Sequence, residues 1–378
     1  MMPCIYDTQL DVKKRQTEHG EEVVLIVSKH VDDLKLVGEP AEIDAYFSAI
    51  EAVFGKLARH EEKFTNCGVT HTRAADGTVT MDQDEYIAAF KPISPKYYQH
   101  LKPEDTCPDR LKALYWSLVG AIAYVSMTQA WVLVYIVALQ RKTHSPQVVH
   151  VKRLNSLCRE LQRRPQKLTY PCMVNDENLI KIFSDSSFNR EGDANKAYAM
   201  KGVVIVLCGK CPTTGDERCH LLDALSQSQK HVVRSTFAAE LLAATSAVDN
   251  TFMHLVTLQE LKYGTLSAES VMRMREDGGF RFRMSLHLDA KSVYHAVINE
   301  SGKLPAEKGL LAHVAWLRQL LACGVLFQIA WVDTRDMVAD GLTKGSVDRR
   351  ALLLAMSGSC SLAFPFEFKT GVSLAEGQ

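Results

Sequence analysis

The sequence has no net charge, because 44 lysines and arginines offset 44 aspartates and glutamates. A chain so balanced generates no overall field toward nucleic acid or an anionic surface, so any such binding has to come from a local patch. Nor do the ten cysteines fall in a repeating frame, which argues against a disulfide scaffold and for reduced thiols. The opening residues MMPCIYDTQ lack the basic-then-apolar layout of a secretion signal. An intracellular protein, cytoplasmic or nuclear and not secreted, is the expectation. Internal repeats and low-complexity tracts are absent too, and 47% hydrophobic against 23% charged residues describes a folded chain with a core. A chain of 378 residues is expected to divide into two or three domains.

Charge is missing altogether from Leu114 to Leu139, LYWSLVGAIAYVSMTQAWVLVYIVAL, a run long enough to cross a bilayer. Ser117, Ser126, Thr128 and Gln129 interrupt it, and Ser126 to Gln129 read as the joint between two shorter helices packed on each other. The pair of buried helices is the preferred reading, and no membrane association is expected. Cys208, Cys211, Cys219 and His220 could in principle hold zinc, but the second pair is adjacent where a zinc site wants spaced ligands. A hairpin loop after the strand VVIVL accounts for them better.

What is present falls into two patterns. Short apolar runs and polar turns alternate to about residue 95, including a hairpin around Ala75, Asp76 and Gly77. Residues 108–163 are helical in character and end in the basic stretch Arg159 to Lys167. The polar, turn-rich YPCMVNDENL, Tyr170 to Leu179, marks a domain boundary. Beyond it LIKIF and VVIVL are strands, Ser235 to Leu261 is a long helix, and MSLHLD is a strand ending in an acid. Two further helices, the strand VLFQIAWV and a short helix in RDMVADGLTKG follow.

Acids mark the ends of these elements. In VVLIVSKHVDDLKLVGE, Asp32 and Asp33 stand at a hairpin tip, where Asp is a good turn residue but where a paired carboxylate also suits a divalent cation. Asp185 follows LIKIF, Glu240 lies in the first turns of the long helix, Asp289 ends MSLHLD, and Asp340 lies in the closing helix. Taken singly, each could be a solvated cap or turn residue. Together they could hold two divalent ions about 4 Å apart, suited to phosphodiester hydrolysis. Glu240 is unusual in having Ala238, Ala239, Leu241 and Leu242 as neighbours.

These landmarks stand in the order found in one family. HVDDLKLVG, YWSLVGAIAYV, SDSSF, RSTFAAEL, HLDAKSV and VDTRDMVADGLTKG resemble, in turn, six motifs of copia-type LTR retrotransposon Pol polyproteins. The resemblance covers the end of the reverse transcriptase and its ribonuclease H domain, from about Pro3 to about Arg350. It implies an α/β, ribonuclease H-like mixed sheet with flanking helices at 173–350, after a truncated α+β reverse transcriptase region. That region would comprise a palm end at 1–95 and a helical thumb or connection at 96–172, and a tail would close the chain at 351–378. Asp185, Glu240, Asp289 and Asp340 would be the catalytic acids, holding two magnesium ions, or manganese in their place. The substrate would be the RNA strand of an RNA/DNA hybrid, recognised by groove shape and 2′-hydroxyls. Lys230, His231, Arg234 and Lys344 would contact phosphates, or else form a solvated face. Further partners would be the polymerase part or other retroelement proteins.

Departures accompany the matches. Asp32 and Asp33 correspond to vestigial polymerase acids, but only 31 residues precede Asp32, too few for the strand that carries their partner acid. DNA synthesis by this chain alone is therefore not expected. His30 replaces a tyrosine of the family pattern, and Gln129-Ala130-Trp131 replaces Arg-Pro-Asp. A catalytically inactive element remnant is the alternative reading.

Overall fold

Three sheets form where strand-like runs meet turn residues. The computed structural model describes residues 1–18, 20–188, 199–230, 232–299 and 307–371, so His231 lies outside the described residues. The first sheet is antiparallel, in the order β1 (Met2–Pro3), β2 (Leu10–Thr17), β3 (Gly20–His30) and β4 (Asp33–Gly38), and α1 (Pro40–Phe54) follows it. Val24, Leu25 and Val27 of β3 are buried.

The second unit pairs β5 (Lys63–Asn66), β6 (Val69–Arg73), β7 (Val79–Asp82) and β8 (Leu168–Tyr170) around α2 (Asp84–Ala88), α3 (Asp109–Val125), α4 (Leu133–Gln140) and α5 (Val148–Arg163). The charge-free run is thus two helices, parted by a 3₁₀ turn at Ala130–Val132. Its apolar side chains, Tyr115, Ile122, Val125 and Ile136 among them, bury against Val151, Leu154 and Leu161 of α5. The Tyr115 hydroxyl ties the helices together by donating to the Leu139 carbonyl at 2.8 Å. No helix among the described residues is long and apolar enough to cross a membrane.

The third sheet has six strands in the order β11 (Glu217–Ser228), β10 (Met200–Lys210), β9 (Leu179–Ser187), β12 (Arg283–Leu288), β13 (Leu326–Trp331) and β14 (Glu367–Thr370). Strands β9 to β11 are antiparallel, β12 lies parallel to both β9 and β13, and β14 returns antiparallel. Around it pack α6 (Thr236–Tyr263), α7 (Ala268–Asp277), α8 (Lys291–Ile298), α9 (Lys308–Ala322), α10 (Asp340–Thr343) and α11 (Arg350–Met356). This is a mixed α/β sheet with flanking helices. Both faces are covered, which is why the central strands read as continuous apolar runs. Ile180, Ile182, Val203 and Ile205 face Ala244, Val248 and Leu255 of α6, whereas Phe183, Val204 and Val206 face Leu342, Leu352 and Ala355.

Three features differ from the sequence reading. Asp185 lies within β9 and not after it, because the strand continues to Ser187. Residues 351–378 were expected as a tail, yet α11 buries Leu352, Ala355 and Met356, and β14 adds a strand to β13. The first residues also reach across to the third unit. Glu260 of α6, with no solvent exposure, accepts the Ile5 N–H at 2.9 Å and the Leu266 N–H at 3.0 Å.

Candidate active site

Register brings the acids together. Leu288 of β12 lies opposite Ser184 of the parallel β9, so the next residues, Asp289 and Asp185, arrive side by side at one end of the sheet. Glu240 comes from α6, whose first turn is capped by the Ser235 hydroxyl accepting the Ala238 N–H at 3.1 Å. Its neighbours Ala238 and Ala239 are buried and small, so the helix start packs close to the sheet. One oxygen from each of Asp185, Glu240 and Asp289 lies within 4.8 Å of the other two. Among the described residues this is the one group of three or more acidic, cysteine or histidine side chains that close.

Asp340 stands outside that group, although its charge still acts on Asp185 and Asp289. The short helix that carries it lies on β10 because residue 202 is glycine. A Cβ there would come within 2.8 Å of both the Ala339 carbonyl and the Thr343 methyl. Ser226 secures the helix by donating to the Leu342 carbonyl at 2.6 Å, and Ser187 donates to the Thr343 carbonyl at 3.1 Å.

Lys344 differs most from its expected role. Instead of waiting outside for phosphate, its ammonium sits 2.6 Å from Asp340 Oδ1 and 3.5 Å from Asp185 Oδ1. Burial of the acids explains this, since clustered carboxylates in low dielectric draw in the nearest cation. Lys230 and Arg234 do remain exposed, on the segment leading into α6. Asp32 and Asp33 are exposed at the tip between β3 and β4, and Asp33 accepts from the Asn66 amide at 2.9 Å. The cysteines considered for zinc fall on the β10–β11 hairpin, with Cys208 opposite Cys219 across the strands.

Two threonines were not singled out from the sequence. The Thr343 hydroxyl donates to Asp185 Oδ2, and the Thr334 hydroxyl donates to Asp289 Oδ2 at 3.2 Å. Only the adjacency of Thr343 to Lys344 in GLTKG could have pointed to the first.

Electrostatics follow from burial. Desolvation, reinforced by Asp185 and Asp289, pushes the Glu240 carboxyl up to about 9. Asp185 is pushed up to about 7 by desolvation, which the Lys344 ammonium partly opposes. Asp289 is raised for the same first reason, and Lys344 is held above the ordinary lysine range by Asp185 and Asp340 despite its own burial. Glu240 Oε2 is buried without a hydrogen-bond partner. An orphaned carboxylate oxygen beside two more carboxylates is the hard-oxygen donor set that divalent cations prefer, so these residues fit such an ion.

No family model matches the chain. Along 358 residues it is 23% identical to the retrovirus-related Pol polyprotein from transposon RE1 of Arabidopsis thaliana, a match taking in 90% of this chain and 22% of that protein. Over most of its length this chain is similar to a transposon Pol polyprotein. It spans about a fifth of the length of that relative, 22%. Among solved structures, the chain is similar to LC11-RNase H1 in complex with RNA/DNA hybrid, at 16% identity and a TM-score of 0.26, over 45% of this chain and 97% of that one. LC11-RNase H1 isolated from compost gives 17% identity and a TM-score of 0.28, over 46% and 97%.

Proposed function

We propose that the Pol-related chain hydrolyses the RNA strand of RNA/DNA hybrids, using divalent ions held by Asp185, Glu240 and Asp289. The observation that carries this reading is the convergence of three carboxylates within 4.8 Å, one of them with an unpartnered buried oxygen. Magnesium at such a site would supply an activated water and a counter-charge for the leaving oxygen. Asp185 and Asp289, fixed by β9 and β12, hold the rigid side of the site, and Thr343 and Thr334 orient their carboxylates. Glu240 offers its free oxygen from α6. Asp340, now paired with Lys344, would be the residue to hold a second such ion. Asp32 and Asp33 take no part in this site, because they lie outside the group of three convergent carboxylates.

A magnesium-dependent cleavage assay on a labelled hybrid tests this, with Asp185→Asn as control. Cutting by the wild-type chain and not by the variant is the expected result. One observation favours a second reading, a folded remnant without turnover: the Lys344 ammonium already bridges Asp185 and Asp340. Identical signal from both proteins would establish that reading instead.

A further inference from the structure

The neutral chain demands a local patch for any nucleic acid, and the second unit has one. From residue 141 to residue 167 there are eight lysines and arginines and a single acid, Glu160. The fold gathers several of them at a cavity of roughly 980 Å³, lined by Trp131, Tyr135, Arg141, Lys152, Arg153 and Glu160, whose charge is met by Arg163 and Arg164. Arg141, Lys152 and Arg153 are exposed, and none has a carboxylate partner among the described residues.

The far wall belongs to the third unit, through Met200 and Gly345. Met200 is paired across the sheet with Ser187, two positions beyond Asp185, and Gly345 directly follows Lys344. Contacts across the cavity hold the walls together. The Tyr135 hydroxyl donates to the Gly345 carbonyl at 2.8 Å, and Arg141 Nη1 lies 3.6 Å from the Met200 sulfur.

We infer that this cavity binds the sugar-phosphate backbone of a nucleic acid strand continuing from the acidic site. Cations without a carboxylate partner, lining one cavity with the aromatic side chains Trp131 and Tyr135, are what such a strand recognises: phosphates pair with the charges. A concave wall between helices and a sheet suits a strand better than a flat lipid surface. The inference rests on the hydrolysis reading for the identity of the strand, but its chemistry requires only phosphodiester.

The test uses the full chain carrying Asp185→Asn, in magnesium, so that bound hybrid is not cut. Fluorescence anisotropy with a 20-base-pair RNA/DNA hybrid is followed across salt concentrations, with and without Arg141→Gln, Lys152→Gln and Arg153→Gln together. Affinity should fall at least about tenfold near 100 mM salt, and the slope of log affinity against log salt should shrink by about two to three. Because the three side chains are exposed, thermal melting should not change. Superimposable binding curves and slopes would overturn the inference, as would tighter binding of the wild-type chain to phosphatidylserine vesicles than to the hybrid. Reduced binding by the triple variant, alongside a wild-type chain that cuts nothing, would remove the hydrolysis reading and leave this one intact. Wild-type cutting with unchanged triple-variant binding would do the reverse.

Discussion

Two groups of aspartates invite the same reading and meet different fates. At the β3–β4 tip, Asp32 and Asp33 are exposed, and water does for them what a cation would otherwise have to do. At the end of the third sheet, Asp185 is 1% exposed and lies against Glu240 and Asp289, so desolvation and mutual repulsion accumulate. Adjacency in sequence therefore says little about a cation site. Convergence under burial, with an oxygen left unpaired, says much more.

The largest expected effect comes from breaking the buried group. Asp185→Asn should lower magnesium-dependent hybrid cleavage at least about a hundredfold, since it removes a ligand from a preorganised charged site. Cleavage by Asp32→Asn/Asp33→Asn should stay within about twofold of wild type, by the ordinary tolerance of exposed sites. Gel quantification of cut RNA measures both.

Titration sharpens the contrast further. Asp185 and Glu240 bind protons more tightly in the folded chain than in the unfolded one, so without divalent ions stability is complete below the ordinary carboxylate range. It should then fall as pH rises through about 7 and on toward about 9. Magnesium should reverse that loss, most strongly at the alkaline end, in melting curves recorded from pH 5 to about pH 9. A melting temperature that rises with pH in the absence of metal would contradict this.

Gly202→Ala would place a methyl against the Ala339 carbonyl and the Thr343 side chain. A destabilisation of about 1–3 kcal/mol in denaturant titration is expected, by the usual cost of overpacking. Lys344→Met tests the resident cation. Removing it should tighten magnesium binding several-fold in calorimetry, because ammonium and metal compete for Asp185 and Asp340. The smallest effect belongs to the hairpin tip, where Val31 has a φ of +53°, unfavourable for a β-branched residue. Val31→Gly should stabilise by less than about 1 kcal/mol.

Much of the third unit was legible because its elements are long and apolar. The strands LIKIF, VVIVL and MSLHLD and the helix from Ser235 have strong apolar patterns, and order alone placed their acids at one end. Elements with little buried surface were not legible. Within α7 only Val271 is buried, and β14 is exposed along its whole length, so neither leaves a periodic trace. The β10–β11 pairing shifts register between Ile205 and Val206, which disturbs the alternation that would have marked β11 as a strand of its own. Lys344 was placed on the right segment, but its contacts to Asp340 and Asp185 left no trace in the sequence. A side chain's choice between solvent phosphate and a buried acid depends on distances that no local pattern encodes.

Glu260 gives the two halves a shared fate. Its carboxylate sits in the third unit, yet one of its two backbone donors is the Ile5 N–H, from the start of the chain. A third unit prepared on its own would leave the fully buried Glu260 side chain without its Ile5 donor. Cutting between Tyr170 and Leu179 should therefore yield a fragment that melts earlier than the parent, and a peptide spanning the first strands, added in trans, should restore the difference.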